Sequence, residues 1–482
     1  MLCGRNIKNL QRPPFNRRTI GLYFHLVGEF LGDVRIIVQH LPIRRNFGTH
    51  LITEELGGRF HLCHNTNSEK TAYDAEQSFH NLAFILNQPI MAHLETDLIH
   101  KGSEFNESKA VVTPIYQTST YIADEDLKQY ITAASETKHP GFYHRHGNPT
   151  NSQAAAVLAS LEKTEDALVL ATGMAAISTA ILTVVKTGDH IITQHSLYSG
   201  AMLFFKEFLS DFGVEVTYVD QKDNQAFEKA IQPNTKLIYV ETPSNPNLDI
   251  TDLAFIAGLG KKGQITTMVD NTFASPINQT PADFGIDIIV HSATKYLGGH
   301  SDLTAGAVCG RKSYINKVWR RSLVLGGSLS PFDSWLLLRG MKTLAMRVRQ
   351  INENALELAQ WLDKHPRIKK VAYVGLSSHP QYALAQKQMN GGTGMLCVEL
   401  SADHDEQAYS YAQEVLNRLT IFANAASLGG VESLVVHPAS MWGGHHDKDQ
   451  KQTSGIYPGL IRISVGIENI EDLIKDFETA LG

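Results

Sequence analysis

After Met91 the chain alternates short apolar runs with amphipathic stretches. The spacing of the amphipathic stretches predicts helices at Gln153–Leu161, Met174–Val185 and Ala201–Phe212. Buried strands are predicted at Ala167–Ala171, His190–Thr193, Val214–Val219, Leu237–Glu241, Ile265–Asp270 and Ile286–His291. Strands that alternate with helices in this way predict βαβ units and a parallel sheet covered on both faces.

The pattern changes beyond about Leu344. There it predicts a long amphipathic helix at Met346–His365, a strand at Met395–Leu400, a helix at Asp405–Leu416, and a closing strand and helix across Leu460–Leu481. We therefore expect an α/β fold. It would comprise a large domain at residues 151–345 with a mostly parallel central sheet, and a smaller α+β domain at residues 346–482. Residues 91–150 would form an N-terminal arm.

Residues 1–90 differ from the rest of the chain because they are rich in arginine early on and have little periodic pattern. The sequence that begins at Met91, MAHLETDLIHKG, resembles a natural N-terminus. Three explanations stay open: a start codon assigned too far upstream, a flexible or family-specific extension, and an organelle transit peptide. Glu54, Glu55 and Glu69 disfavour the last of these. We expect the segment to lie outside the fold.

Composition narrows the range of partners. The chain has 482 residues, is 43% hydrophobic and carries a formal net charge of −6, so no basic excess indicates nucleic acid. No apolar run approaches the roughly 20 residues of a membrane span. Scattered cysteines favour a reducing compartment, and we expect the cytoplasm; they are Cys3, Cys63, Cys309 and Cys397. The adjacent His445 and His446 suit a loop rim, and no metal site is predicted.

The segment His291–His300, with the sequence HSATKYLGGH, carries the most informative chemistry. Lys295 follows a buried strand and is preceded by the hydroxyl residues Ser292 and Thr294. A lysine that forms a Schiff base must be partly desolvated so that its amine is available near neutral pH. The two hydroxyls could bind a phosphate close to that amine. A lone lysine in this position would usually be a surface residue, so the interpretation depends on its neighbours.

Three further features support a cofactor site. Asp270 ends an apolar run, and a buried carboxylate there needs a cationic partner such as a protonated pyridine nitrogen. Gly173 and Met174 lie where a small-residue turn leads from a strand into a predicted helix, and the free backbone amides there can bind phosphate. Tyr198 follows the next strand, so its ring could stack on a cofactor and its hydroxyl could transfer protons.

From about Leu94 to its end, roughly 390 residues, the chain resembles the Cys/Met-metabolism family of pyridoxal 5′-phosphate (PLP) enzymes. This family includes cystathionine γ-synthase, cystathionine lyases, methionine γ-lyase and O-acylhomoserine sulfhydrylases. The motifs that match, in order, are Tyr143-His144-Arg145 with Asn148-Pro149-Thr150, Thr172–Ala176, Leu197-Tyr198, Glu241–Pro246, Val269–Thr272, Ser292–Tyr296, Ser427–Gly430 and Ile461–Gly466.

The resemblance implies a fold-type I, aspartate-aminotransferase-like enzyme whose large domain binds PLP. It implies that Lys295 holds PLP as a Schiff base and moves protons, that Asp270 pairs with the pyridine nitrogen, and that Tyr198 stacks on the ring. The implied phosphate ligands are Gly173, Met174, Ser292 and Thr294.

It also implies how the substrate and a second subunit take part. Arg462 would clamp the α-carboxylate of the substrate, supported by Asn245 and the backbone of Ser427. Tyr143 and Arg145 would reach the phosphate of the neighbouring subunit. We therefore expect a homo-oligomer. It would be at least a dimer, and a tetramer is the expected state.

The choice of reaction stays open at this point. Ala426 stands where cystathionine γ-lyases and synthases usually carry Glu, which favours a shorter substrate, and His437–Met441 resembles the methionine γ-lyase version. Gly200 replaces the Cys typical of methionine γ-lyases, and Trp442–His446 departs from the usual pattern. The leading hypothesis is a carbon–sulfur lyase acting by γ-elimination, with β-elimination as a variant. A γ-replacement transferase is the alternative, and a non-catalytic PLP-binding protein is a remote third.

Overall fold

The computed structural model describes residues 93–106, 108–123, 126–441 and 455–482, together with two short strands at 50–52 and 61–63. The chain divides into two compact units, Met1–Met91 and Ala92–Gly482. In the first unit, strands β1 (His50–Ile52) and β2 (His61–Cys63) pair antiparallel. The rest of residues 1–92 lies outside the described part of the chain.

The second unit contains two sheets. The central sheet has seven strands in the spatial order β3-β9-β8-β7-β6-β4-β5. Its strands are β3 (Asp166–Leu170), β4 (His190–Gln194), β5 (Glu215–Val219), β6 (Thr235–Glu241), β7 (Thr266–Asp270), β8 (Ile288–Ser292) and β9 (Gly306–Gly310). The C-terminal sheet has five strands in the order β10-β11-β14-β13-β12. They are β10 (Ile368–Ala372), β11 (Met395–Leu400), β12 (Ala423–Asn424), β13 (Leu434–Val436) and β14 (Leu460–Ser464).

Helices connect these strands and cover the sheets. Up to the end of the central sheet they are α1 (Leu94–His100), α2 (Leu127–Ser135), α3 (Pro149–Leu161), α4 (Gly173–Val184), α5 (Ser199–Leu203), α6 (Leu209–Asp211), α7 (Asn224–Lys229), α8 (Leu253–Gly263) and α9 (Ser275–Asn278). The later ones are α10 (Lys312–Leu325), α11 (Pro331–Met341), α12 (Leu344–Leu362), α13 (Tyr382–Gln388), α14 (Asp405–Arg418), α15 (Pro438–Met441) and α16 (Ile470–Leu481). Short 3₁₀ turns lie at Ser103–Phe105 and Pro281–Phe284.

The direction of the strands determines at which edge of the central sheet the residues that follow them lie. Strands β4 to β8 pair parallel with one another, while β3 and β8 both pair antiparallel with β9, which lies between them. β3 and β8 therefore run in the same direction, and β3 to β8 all end at one edge of the sheet. In open α/β sheets, ligands bind outside the carboxyl ends of the strands, and this edge is the place to look for a site.

Alternating side chains of the central strands supply two separate cores. Ile289 of β8 belongs to the hydrophobic cluster on one face, whereas Ile288 and Val290 belong to the cluster on the other. This arrangement follows from the period of two along a strand and explains why the strands are near-continuous apolar runs. A third cluster, which includes Val398, Ile461 and Phe477, packs the C-terminal sheet against its own helices.

The predicted α/β fold, with a mostly parallel central sheet and a smaller C-terminal sheet, is confirmed. One local prediction was wrong, and one strand was not predicted. The predicted helix Ala201–Phe212 is interrupted by a π-helical stretch at Phe204–Phe208. Strand β9 was missed because its sequence, GAVCG, consists of small residues with a weak strand signal. Among the described residues, no helix is long and apolar enough to cross a membrane.

Candidate active site

Lys295 lies at the strand-end edge of the central sheet, three residues beyond β8. Its backbone N–H donates to the Ser292 carbonyl, and its carbonyl accepts from the Gly299 N–H, so a tight turn holds the residue. The ammonium group donates to the Ser427 hydroxyl at 2.9 Å. Burial, together with the nearby Arg462 charge, lowers the pKa of Lys295 to about 8. The site therefore contains an amine that is neutral far more often than an exposed lysine.

Arg462 comes from β14 of the C-terminal sheet and is 5% exposed. Its Nη1 donates to the Asn245 side-chain oxygen at 3.1 Å, and its Nη2 donates to the Ser427 carbonyl at 3.3 Å. Ser427 thus contacts Lys295 through its hydroxyl and Arg462 through its backbone. The structure brings the predicted substrate-binding residues together with the predicted catalytic lysine.

Asp270 is the last residue of β7 and is 5% exposed. Burial raises the pKa of its carboxyl group, and the hydrogen bonds from Thr272 oppose that rise. The Thr272 hydroxyl and backbone N–H both donate to Oδ1, at 2.5 and 3.0 Å. The Tyr239 hydroxyl lies 3.5 Å from Oδ2. A carboxylate held in this way is ready for a cationic partner, because a nearby cation favours its charged form.

The turn that begins α4 approaches Ser292 closely. Gly173 is the first residue of the helix, and a Cβ built there would lie 2.8 Å from the Ser292 Cβ and 2.9 Å from its Oγ. Thr172 caps the helix by accepting from the Ala175 N–H at 3.0 Å. The beginning of α4 at Gly173 therefore lies beside Ser292, and the opening amides of a helix are suited to binding phosphate.

The Thr294 hydroxyl is already engaged with the backbone. It donates to the Ala305 carbonyl at 3.2 Å and accepts from the Ala305 N–H at 2.9 Å. These contacts join the Lys295 turn to the start of β9. The Thr294 hydroxyl therefore helps to hold the turn that carries Lys295.

Tyr198 is the N-terminal neighbour of α5 and is 45% exposed, so part of its side chain is accessible. A Cβ on Gly200 would lie 2.6 Å from the Tyr198 Cε1 and 3.1 Å from the Met174 Sδ. Tyr198 therefore lies close to the beginning of α4. The absence of a side chain at Gly200 leaves room for the ring in this position.

Glu241 belongs to the Glu241–Pro246 motif, has no predicted role, and holds neighbouring site residues in place. It ends β6, directly beside Asp270 in the register of the sheet, and accepts from the Tyr198 N–H at 2.8 Å. Burial and the Asp270 charge raise the pKa of Glu241 well above its usual value, while bonds from the Tyr198 and Asn245 amides and the Arg462 charge oppose the rise. Only its position at a strand end could have pointed to it.

Arg347 is a second functional residue that the helical pattern of its segment does not distinguish. It lies in α12 and is 5% exposed, and its guanidinium donates to the Tyr296 carbonyl at 2.9 Å and the Gly340 carbonyl at 2.8 Å. Burial lowers its pKa to about 10. A Cβ on Gly299 would lie 2.0 Å from its Nη1, so this glycine makes room for the guanidinium. Arg347 anchors the turn that carries Lys295.

Tyr143 and Arg145 lie on the surface. Tyr143 is 40% exposed, and the Arg145 guanidinium carbon lies 5.7 Å from the centroid of its ring. Arg145 also donates to the Leu323 carbonyl at 2.5 Å. The stretch Trp442–His446, including His445, lies outside the described residues. Within the described part of the chain, no group of three or more metal-ligand side chains is arranged to hold a metal ion.

The chain is similar to a known enzyme family over most of its length. The family model for the Cys/Met metabolism PLP-dependent enzymes matches residues 95–482. A cystathionine β-lyase from Coxiella burnetii is 42% identical over 395 residues, which is 81% of this chain and 98% of the relative. An L-methionine γ-lyase from Porphyromonas gingivalis is 42% identical over 390 residues, 80% of this chain and 96% of the relative.

A solved structure agrees with these relatives. The cystathionine γ-lyase from Lactobacillus plantarum, complexed with L-serine, superposes with a TM-score of 0.75 at 38% identity, covering 81% of this chain and 98% of its own. The predicted fold type and enzyme class, a PLP-dependent carbon–sulfur lyase, are confirmed at this level.

The residues present fit PLP. The cradle at Gly173 would be filled by a single Cβ, Asp270 is a buried carboxylate ready for a cation, and Lys295 offers an amine of lowered pKa. Tyr198 follows β4 at the same edge of the sheet and is partly accessible. A phosphate, a protonated ring nitrogen and an aldehyde would each meet a suitable group. The chain belongs to the Cys/Met metabolism PLP-dependent enzyme family.

Proposed function

We propose that this protein removes the sulfur substituent of methionine- or cystathionine-type amino acids by γ-elimination, giving a 2-oxo acid, ammonia and a thiol. One observation carries the proposal. Ser427 accepts from the Lys295 amine through its hydroxyl, at 2.9 Å, and from the Arg462 guanidinium through its carbonyl, at 3.3 Å. An amino acid whose carboxylate lies against Arg462 therefore has its α-carbon within reach of the lysine.

Arg462 and Asn245 bind and orient the carboxylate. A planar guanidinium makes two parallel hydrogen bonds to a carboxylate, which fixes the direction in which the α-carbon–hydrogen bond points. Because Arg462 is 5% exposed, little water competes for these bonds. This binding site recognises the part of the substrate that all amino acids share, so it gives orientation rather than selectivity.

Lys295 acts as the base. A neutral amine is required to accept the α-proton, and the pKa of about 8 makes this form accessible near neutral pH. When bound, PLP supplies an electron sink conjugated to the α-carbon. Asp270 would keep the ring nitrogen of the cofactor protonated, and Gly173, Met174, Ser292 and Thr294 would hold the phosphate. Tyr198 would stack on the ring and donate a proton to the departing sulfur.

Selectivity for the distal end of the substrate would come from Ala426 and Gly200. Ala426 is exposed and presents only a methyl group, which suits a short thioether chain better than a second charged amino-acid end. Gly200 favours a second candidate, γ-replacement on an O-acylated homoserine, because the Cys typical of methionine γ-lyases is missing there. In that reaction a thiol or sulfide takes the place of the leaving group.

We further propose that the enzyme works as a homo-oligomer in the cytoplasm. The exposed Tyr143 and Arg145 support a shared site, because a side chain that reaches a neighbouring subunit must first be available at the surface. A dimer would complete the phosphate site, and a tetramer is the expected form.

The test compares products across substrates. Purified enzyme with added PLP is incubated with methionine or cystathionine, and 2-oxobutyrate, pyruvate and free thiol are measured. The same enzyme is given O-acetylhomoserine plus sulfide. We expect 2-oxobutyrate from methionine or cystathionine without a nucleophile. Pyruvate from cystathionine would instead indicate β-elimination, and sulfide consumption without 2-oxo acid would support the replacement reaction.

The pKa of Lys295 predicts how cofactor attachment depends on pH. Compared with an ordinary value of 10.5, a pKa of about 8 makes the neutral amine about 300-fold more abundant at pH 7. Covalent PLP attachment to cofactor-free protein should accelerate about tenfold per pH unit up to about pH 8 and then level off. Mass spectrometry of borohydride-trapped samples across pH 6 to 10 gives the rate. An inflection near pH 10 would contradict the lowered pKa.

Gly173→Ala should weaken PLP binding about tenfold or more, because the added methyl group displaces Ser292 from the opening of α4. Fluorescence titration of cofactor-free protein measures the affinity. Gly258→Ala is the matched control, since nothing lies within 4 Å of a Cβ there and the residue sits inside α8. That change should leave PLP affinity unaltered and stabilise the helix by up to about 1 kcal/mol. Equal affinities in both variants would count against the cradle.

A further inference from the structure

A buried polar cluster joins the segment that carries Asp270 to the end of α3. Glu162 is the residue that follows α3, and its Oε1 accepts from the Asn271 side-chain amide at 2.8 Å and lies 2.5 Å from the His291 Nε2. Glu162, Asn271 and His291 are each at most 1% exposed. Asn271 directly follows Asp270, and the mechanism described above uses none of these three side chains.

The charges in this cluster are unusual for a protein core. The second carboxylate oxygen of Glu162, Oε2, is buried and has no hydrogen-bond partner. An ionised carboxylate with an unsatisfied oxygen is costly in the core unless a cation compensates it. The cation available in direct contact is the imidazolium form of His291, at a salt-bridge distance from Oε1. Glu162 and His291 therefore form a fully buried pair at salt-bridge distance.

His291 lies on β8, next to Val290, which is the register partner of Asp270 on β7. A positive charge on His291 would lower the pKa of the Asp270 carboxyl group across this strand pair. Burial raises the pKa of Asp270, the Thr272 hydrogen bonds lower it, and the His291 charge lowers it further. The pair thus stabilises the ionised form of Asp270 as well as the position of its chain segment.

We propose that Glu162 and His291 are positioning residues for Asp270, acting on the cofactor through its ring nitrogen without touching it. Their hydrogen bonds fix the Asp270–Asn271 segment, and the imidazolium keeps a positive charge near the Asp270 carboxylate. This inference rests on the proposed pairing of Asp270 with PLP.

Asn271 has a second set of hydrogen bonds. Because of them, the effect of the His291 charge can be tested without releasing the Asn271 side chain. Its side-chain oxygen accepts from Gln279 Nε2 at 2.9 Å, and its amide also donates to the Gln279 carbonyl at 2.8 Å. Gln279 is in turn held by Gln388, whose Nε2 donates to its Oε1 at 3.0 Å. A substitution that removes only the charge of His291 therefore leaves Asn271 anchored.

The test is a double-mutant cycle on PLP affinity. His291→Gln keeps an Nε2 donor for Glu162 and removes the charge. It is measured alone and in the Asp270→Asn background, in full-length protein freed of cofactor and titrated with PLP. We expect about tenfold weaker binding in the otherwise native protein, the equivalent of one pKa unit, and less than about twofold further loss in Asp270→Asn. The absorbance spectrum of bound PLP should change in the first case only.

His190→Gln is the matched control. His190 is a fully buried histidine at the start of β4, hydrogen-bonded to Thr235 and Thr217 and remote from the strand-end edge. Its replacement should lower the melting temperature without weakening PLP. Should His291→Gln fail to fold, Glu162→Gln, which removes the carboxylate partner of His291, carries the same expectation.

If His291→Gln weakened PLP binding equally in both backgrounds, Glu162 and His291 would have only a structural role. If it weakened binding in neither, they would not act on Asp270. Either result overturns the inference. A different result would count against the proposed site itself. If Asp270→Asn bound PLP as tightly as the native chain, the Asp270 assignment would fail, and this inference would fail with it. The two failures are therefore distinguishable.

Discussion

Lys295→Ala should abolish turnover, lowering kcat/KM by at least about 1,000-fold. The variant loses both the covalent attachment point for PLP and the base that accepts the α-proton, and a positioned base alone contributes about 100- to 10,000-fold. Borohydride reduction followed by peptide mapping should show a phosphopyridoxyl mass on Lys295 in the native enzyme and on no peptide of the variant. Steady-state assays with methionine and cystathionine measure the loss of rate.

Lys364→Ala provides the control for Lys295. Lys364 is an exposed lysine just beyond α12, and its replacement should leave both the labelled peptide and the rate unchanged. A phosphopyridoxyl mass on any other lysine of the native enzyme would contradict the assignment. So would substantial turnover by Lys295→Ala in the presence of PLP.

Arg462→Ala should raise KM for the amino-acid substrate about 100-fold while the protein keeps its yellow cofactor. Truncating one partner of a buried, hydrogen-bonded charge pair costs 2–5 kcal/mol or more in binding. Because the carboxylate is bound in both the ground and the transition state, the loss should appear mainly in KM. Absorbance of the bound cofactor and initial rates over a range of methionine concentrations test both parts.

Arg462→Lys separates two effects of Arg462→Ala, the loss of a positive charge and the loss of the guanidinium hydrogen bonds. Arg462 also provides the positive charge beside Glu241, which accepts from the Tyr198 backbone. Lysine keeps that charge but cannot form the paired hydrogen bonds of a guanidinium. We expect an intermediate KM for Arg462→Lys, with Tyr198 undisturbed. Colour lost together with substrate affinity in either variant would argue against a carboxylate clamp.

Residues at strand ends could be predicted from the sequence because their positions follow from topology. Tyr198, Asp270 and Lys295 each come shortly after an apolar run, and parallel strands end at one edge of a sheet. The order of the runs was therefore enough to bring them together. The central sheet could be predicted for the same reason, apart from the glycine-rich strand β9.

Contacts between distant segments could not be predicted in this way. The bond between Lys295 and Ser427 joins residues 132 positions apart, and the one between Arg462 and Asn245 joins residues 217 apart. Glu241 lies within a motif that the sequence revealed, yet its contact with the Tyr198 amide depends on how two loops meet. The Thr294 hydroxyl, which is predicted to bind phosphate, also bonds to the backbone of Ala305, eleven residues further on, and the sequence pattern gives no sign of that contact.

The lysine and the arginine belong to segments whose apolar interiors are packed independently. Lys295 follows a strand of the central sheet, while Arg462 shares a sheet with Ile461, whose cluster includes Phe477 in the final helix. Regions with separate cores can loosen separately. A destabilising substitution at a residue as remote as Phe477 would therefore weaken binding of the amino-acid substrate before the enzyme lost its bound cofactor.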